Sequence, residues 1–406
     1  MNHAAAQFAH VEQLAQLAEK THRKSRLAVF IGRDGGRFMD NVKYAFLHCV
    51  KHVPELTCFF LSTHQDEVRT LREHDLPAVL HTDEGSIEML LRAGIVVSDD
   101  FWWKENAVMW AALHPAKSMQ LWHGIPLKAI GRPEYESTVN MDPAKADRLR
   151  FCYSGYDAVL STSPFFTETA FARAFAAKEF PELGYPRNDA LLRRHDRLDM
   201  INVDGPLYAE MARGKKTGRR TVVYMPTFRD LGNTPFADGA VDVVRLDAFA
   251  REHDLLFVLK LHPYLAETLQ RLPDRVRLAS SKSDPYPLLA HADLLVTDYS
   301  SISFDFLLTG RPMLFYPYDF EDYVTRNREL LYDYAAMTPG PRPRTPDAFF
   351  AAIQSLLVEG KDEWIQDRAR LLALSFAQPD GRAALRLGSY LAGRLLGRAA
   401  AGVTRP

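Results

Sequence analysis

The chain has only three cysteines in 406 residues, Cys49, Cys58 and Cys152. They form no CxxC pair and no metal-ligand spacing. Buried thiols in a reducing compartment are expected rather than a disulfide framework. No apolar run approaches the roughly 18 residues that cross a bilayer. The N-terminal MNHAAAQFAH continues into the charged VEQLAQLAEK, where an export signal would need its apolar region. A cytoplasmic protein is expected. Surplus charge is missing too: 50 Lys and Arg against 51 Asp and Glu leave a net charge of -1, which gives no basic excess for a nucleic-acid partner. There is no GxGxxG, no P-loop and no HExxH. His48 and His52 have helical i,i+4 spacing, but HCVKH lacks the intervening glutamate and a third ligand, so no metal site is assigned.

What is present is an ordinary folded composition, 47% apolar and 25% charged, on a chain long enough for two cores. Short apolar runs alternate with helical patterns, the signature of parallel sheets with crossover helices. In the first half the expected strands are 26–32, 56–62, 93–100, 118–124, 158–163 and 180–186. In the second they are 221–227, 256–263, 276–280, 294–298 and 313–318. The fold class predicted is α/β: two doubly wound Rossmann-like domains facing a cleft, with a helical C-terminal tail. The expected domains are 1–204 and 219–376, joined by a linker at 205–218 around Gly205-Pro206, with a C-terminal helix over 377–406.

Open parallel sheets bind ligands beyond the carboxyl ends of their strands, and the polar residues collect there. In LLVTDYSSISFDFLLTG, Asp298, Ser300 and Ser301 lie between a strand and a helix whose free N–H groups suit a phosphate. A plain capped helix, with Asp298 in an Asx turn, explains the same pattern. Lys260 and His262 end another strand before Pro263; they suit a pyrophosphate or a half-exposed strand end. Arg229 follows a third strand, and its guanidinium suits bidentate phosphate contacts or a neighbouring carboxylate. Beyond Asp230, the nearest such carboxylate, Gly232, Asn233 and Pro235 suggest a loop able to close. In the first half, His123 ends a strand before Gly124 and is a candidate general base, since its ordinary pKa lies near neutrality. Lys128 suits an anionic acceptor or the bare surface. Ser98-Asp99-Asp100 is a weaker candidate, suited to a metal or to plain hydrogen bonding, and the Gly32–Arg37 loop is a weak candidate to line the acceptor cleft.

Six segments, LWHGIPLKAIG, GYPRNDALL, VVYMPTFRD, LKLHP, VTDYSSISFDFLLTGRPMLFYPYDFEDY and LLYDYAAMTPGP, occur in one order at strand–loop junctions between about residues 118 and 342. Together they resemble the CDP-glycerol glycerophosphotransferase family, whose members build teichoic acids and related polyol-phosphate polymers. The resemblance implies a glycosyltransferase-B-like fold. It also implies transfer of glycerol phosphate, or ribitol phosphate, from CDP-glycerol or CDP-ribitol to a hydroxyl of a polyol-phosphate, glycan or lipid-linked acceptor, with CMP leaving. It places the base at His123 and the donor site at His262, Ser300 and Ser301, with Arg229 and Asp298 at motif positions. Arg187, in GYPRND, joins Lys128 as an acceptor-side candidate. No cofactor is required, and Mg²⁺ is compatible without being indicated. A UDP-sugar glycosyltransferase or epimerase and a non-catalytic nucleotide- or polymer-binding protein stay open as alternatives. The C-terminal Leu385, Leu387, Leu391, Leu395 and Leu396, interleaved with Arg382, Arg386, Arg394 and Arg398, form a basic amphipathic helix. It suits either packing on the protein or peripheral membrane contact.

Overall fold

A computed structural model describes residues 2–229, 234–262 and 271–395. Asp230, Gly232, Asn233, Pro263, Leu396 and Arg398, named above, lie outside the described residues, as do the side chains of Arg394 and Leu395. The chain divides into two compact units, Met1–His123 with Arg148–Asp189 and Asp380–Pro406, and Gly124–Asp147 with Ala190–Pro379.

The first unit holds seven strands: β1 (Lys24–Ile31), β2 (Thr57–Ser62), β3 (Ala78–Leu80), β4 (Ala93–Ser98), β5 (Lys117–Gln120), β6 (Ser154–Val159) and β7 (Ala176–Glu179). Every pairing is parallel, in the order β3-β2-β1-β4-β5-β6-β7. The expectation at 180–186 gives way to β7 a few residues earlier, because Pro181 and Pro186 cannot donate to a ladder. β3, only three residues long, went unread. In the second unit β8 (Arg220–Tyr224), β9 (Leu255–Leu259), β10 (Val276–Leu278), β11 (Leu294–Thr297) and β12 (Met313–Phe315) pair in parallel in the order β10-β9-β8-β11-β12. β4, β9 and β11 are buried at every residue, as strands covered on both faces must be.

Both orders are doubly wound. The chain runs outward one way from β1 and the other way from β4, and likewise from β8 and β11, so each sheet has one switch point. There the crossover helices depart to opposite faces and leave a crevice at the strand ends. The His123 and Asp298 segments leave their sheets at or beside these two points.

Four helices position the rest: α1 (Asp40–His52), α2 (Gly205–Lys216), α3 (Ile302–Leu307) and α4 (Ala383–Tyr390). The core of the first unit is built on Phe30, Phe38, Phe46 and Phe60, whose rings meet edge-on at 5.0–6.0 Å, fastening α1 to the sheet. The second core gathers Val222, Tyr224, Phe257, Val296, Leu314 and Ile353. The stretch read as a linker, 205–218, carries α2, whose Asp204 cap accepts from Leu207 N. α4 lies in the first unit, where its buried Ala384, Leu387 and Gly388 pack on α1. Asp189 caps it, accepting from the N–H groups of Ala383 and Ala384 at 2.9 Å each. The GYPRND segment therefore caps, through Asp189, a helix nearly two hundred residues on.

Candidate active site

Ile31 pairs with Ser98, and Ser98 with Gln120. The residues that follow, Gly32-Arg33, Asp99-Asp100 and Leu121-Trp122-His123, therefore leave the sheet along one row. His123 is half-buried, and its Nδ1 meets the Asp99 carbonyl at 2.9 Å. A carbonyl only accepts, so Nδ1 carries the proton of the neutral ring and the lone pair resides on Nε2, which has no hydrogen bond within the described residues. Burial and then the Arg33 charge lower the His123 pKa to about 4, against the opposing pull of the Asp99 carbonyl and Asp40. At neutral pH the ring is uncharged and able to accept a proton. Its neighbour Trp122 has φ 55°, a left-handed value uncommon for a bulky residue. Gln120 Oε1 accepts from Trp122 N at 2.9 Å, and Asn41 Nδ2 donates to Trp122 O at 2.8 Å. The indole stacks on the imidazole with centroids 4.0 Å apart.

A polar network surrounds this histidine. Asp40, at the start of α1, accepts from Arg187 Nη1 at 2.6 Å and, at 3.5 Å, from Arg33. Burial alone would raise its pKa, but the two guanidinium groups hold it below the usual carboxylate range. Asp99 is fully buried; its Oδ2 accepts from Val42 N at 3.2 Å, while its Oδ1 has no hydrogen-bond partner. Burial, with Asp40 and Asp100 close by, pushes its carboxyl well up. Asp100 ties two loops together by accepting from Trp102 N at 3.0 Å and Asp34 N at 2.8 Å, and burial raises its pKa to about 6. Arg187 is only 2% exposed and turns its guanidinium onto Asp40 and the Tyr185 ring. The expectation of an acceptor contact there meets a side chain engaged inside the protein. Asp40 and Asn41 carry no local signal in the sequence, since neither stands at a strand end and the partners Trp122 and Arg187 lie 81 to 147 residues away.

In the second unit Asp298, Tyr299 and the two serines leave β11 beside the segment leaving β8. Arg229 is 1% exposed. Its Nε and Nη2 donate to the two oxygens of Asp319 at 2.9 Å each, and its Nη1 donates to Asp298 Oδ2 at 2.6 Å and to the Thr227 carbonyl. Tyr299, Tyr318 and Tyr323 surround the guanidinium at 5.2–5.5 Å. Despite burial, the two carboxylates raise the Arg229 pKa. Of its five N–H donors four are used on protein, so this arginine fastens loops and is not set out to meet a phosphate. Asp298 is likewise 1% exposed and accepts from Thr227 N at 2.8 Å and Tyr299 N at 2.6 Å. Asp319, the partner that completes the network, follows β12 with no local pattern to single it out.

Ser300 and Ser301 are part-exposed. Ser300 Oγ accepts weakly from Ile302 N at 3.4 Å, whereas Ser301, the residue before α3, makes no side-chain cap. Its hydroxyl has no hydrogen bond within the described residues. His262 is exposed and stacks on Phe228 at 4.2 Å. Lys260 turns away from it, donating to the carbonyls of Ser280, Ser281 and Ser283 at 2.5–3.1 Å. Strand alternation alone did not predict that capping. Lys128, expected in the first domain, belongs to the second unit, where its backbone bridges Leu330. Among the described residues no three or more His, Cys, Asp or Glu side chains are grouped to hold a metal ion.

The family model for CDP-glycerol:poly(glycerophosphate) glycerophosphotransferase matches residues 14–393. The chain belongs to this family. Among curated glycerophosphotransferase relatives, a teichoic acid poly(glycerol phosphate) polymerase of Bacillus spizizenii is 30% identical over 258 residues, 60% of this chain and 62% of that protein. A teichoic acid glycerol-phosphate transferase of Staphylococcus aureus is 30% identical over 66% of this chain and 69% of its own length. The matched stretch thus spans between three fifths and seven tenths of these relatives. The solved structure of the wall teichoic acid polymerase TagF superposes with a TM-score of 0.75 at 21% identity, covering 96% of this chain and 95% of that one. That likeness establishes the glycosyltransferase-B-like α/β fold of this family member, with its two parallel sheets and helical C-terminal region.

Proposed function

We propose that this glycerophosphotransferase-family protein transfers glycerol phosphate from CDP-glycerol to a hydroxyl of a teichoic-acid-like polymer or primer, releasing CMP. The observation that carries the reading is the family match over residues 14–393. The acceptor hydroxyl reacts beside His123, whose Nε2 takes the proton as the oxygen attacks the β-phosphorus in line. His262 and the hydroxyls and amides at Ser300-Ser301 hold the donor phosphates, with charge stabilised by donors already in place. Arg229 and Asp298 act one step back, fixing the loop after β8 against the turn after β11. CDP-ribitol is the second donor in the proposal, and glycan or lipid-linked ends are further acceptors. The reaction takes place in the cytoplasm. Peripheral membrane contact involves the C-terminal region, where Leu385 is 51% exposed on α4, whose Ala384, Leu387 and Gly388 are buried.

The test is CMP release from CDP-glycerol and CDP-ribitol, and UDP release from a UDP-sugar, each with a glycerol-phosphate primer, followed by sizing of the product. Turnover with CDP-glycerol supports the reading. Turnover with the UDP-sugar alone would replace it by a glycosyltransferase, and binding of CDP-glycerol without CMP release would replace it by a binding protein.

A further inference from the structure

We propose that Asn41 is a positioning residue for His123, setting the imidazole by gripping the peptide carbonyl just before it. The inference rests on the reading of His123 as the base and adds a residue that no sequence motif includes. Asn41 is fully buried at the start of α1. Its Nδ2 donates to the Trp122 carbonyl at 2.8 Å, and its Oδ1 accepts from the Arg187 amide at 3.3 Å. The orientation of the amide is fixed by its partners, because the carbonyl can only accept and the N–H can only donate.

Trp122 needs such a grip. It holds φ 55° without being glycine, a conformation that persists only where the surroundings over-determine it. Asn41 holds the carbonyl side of this residue, and Gln120 Oε1 holds its N–H at 2.9 Å. With Trp122 held at both its N–H and its carbonyl, the following side chain comes to the Asp99 carbonyl with Nδ1, leaving Nε2 as the acceptor. Asn41 also ties the Pro186-Arg187 turn to the same strand end, while its neighbour Asp40 takes the Arg187 guanidinium at 2.6 Å. One asparagine therefore joins two separate sequence segments at the candidate base. The charged groups acting on His123 are Arg33, Asp40 and Arg187, and Asp99 meets it through its backbone carbonyl.

Asn41→Asp isolates the grip, since it keeps an acceptor for the Arg187 amide but turns an oxygen onto the Trp122 carbonyl. Gln120→Ala loosens the other side of the same residue and serves if the Asn41 variants fold poorly. The measurements are kcat with CDP-glycerol and a glycerol-phosphate primer from pH 4 to 9, CDP-glycerol affinity by calorimetry, and the His123 titration by NMR. A misplaced group of this kind costs on the order of 10²-fold in rate. The expected result is a kcat lower by about 10- to 100-fold, donor affinity within about twofold of the parent, and a His123 titration moved from about 4 upward toward its ordinary value. A variant with parental kcat and parental His123 titration overturns the proposal. So does a variant that loses kcat, donor affinity and thermal stability together while the His123 titration stays put, for that is a structural role only. His123→Ala runs alongside. Full activity there refutes the base reading, whereas lost activity there with a parental Asn41→Asp refutes the positioning inference alone.

Discussion

Removing the Asp319 carboxylate tests what Arg229 does. Arg229 is 1% exposed and meets Asp319 through a two-pronged contact at 2.9 Å on both arms, with Asp298 on a third side at 2.6 Å. In Asp319→Ala the guanidinium keeps Asp298 but loses two charge-assisted hydrogen bonds in a place water does not reach. Breaking a buried pair by deleting one partner costs about 3–5 kcal/mol. For a folded body of about 200 residues, 1 kcal/mol corresponds to about 2–4 °C in Tm, so a drop of about 6–20 °C is expected. Arg229→Lys should recover only part of it, because an ammonium cannot reproduce the planar fork. The assay is calorimetric melting with and without CDP-glycerol, plus donor affinity by titration. If Arg229 instead contacts the donor phosphate directly, Arg229→Lys will weaken donor binding at least tenfold while the Tm of the ligand-free protein moves by no more than about 1 °C. That pair of results would refute the assignment of Arg229 as an internal fastener.

His123→Ala should lower kcat by about 10²- to 10⁴-fold, the usual worth of general-base assistance, with CDP-glycerol affinity retained in a binding titration. The acid limb of the rate profile that belongs to His123 should fall near pH 4, not near 6.5, because the ring is uncharged down to that value. Stability follows the same sign: the unfolded chain takes up this proton near 6.5 and the folded one only near 4, so this group's contribution is lost as pH falls through that window, measurable as Tm between pH 7 and 4. Asp189→Ala removes the cap from α4 and should cost about 0.5–2 kcal/mol, with faster amide exchange at Ala383 and Ala384. Gly388→Ala brings a Cβ to 2.9 Å from Val53 Cγ2 and 3.0 Å from His48 Cδ2, and chemical unfolding should show about 1–3 kcal/mol of destabilisation from that overpacking.

The fold was legible because covered parallel strands announce themselves as consecutive apolar residues. VVSDD, LWHG, VVYMPT and VTDYSS each carry an apolar strand directly into its polar exit, so His123, Arg229 and Asp298 could be named from local pattern. What the pattern could not convey was where each side chain turns after the exit. Arg229 and His262 both follow strand ends in the sequence, yet the first is enclosed by two carboxylates and three tyrosine rings while the second is exposed on Phe228. Lys260 and His262 share a strand face by alternation, but the lysine stem bends onto three serine carbonyls once the strand has ended. Asn41 and Asp319 left no mark, because a residue whose role is to hold another has no spacing of its own in the chain. Their partners lie 81 and 90 residues away, and only the sheet order brings them together.

The low pKa of His123 bears on the kind of transfer such a site can run. A base with a pKa of about 4 is too weak to strip a hydroxyl in advance. In phosphoryl transfer with a loose transition state, however, the nucleophile contributes little bonding early, and its proton becomes acidic only as the new P–O bond forms. Accepting a proton at that late stage requires a lone pair in the right place more than a strong base. Fixing Nδ1–H on the Asp99 carbonyl supplies that placement, and excluding protonation at neutral pH keeps the lone pair available in every molecule. If proton transfer is late in this way, a primer bearing a more acidic terminal hydroxyl should gain little in kcat. A site relying on prior deprotonation would gain nearly tenfold per pKa unit. Measuring kcat for primers ending in glycerol and in a fluorinated glycerol analogue separates the two, and a steep gain would show that His123 acts earlier than its environment implies.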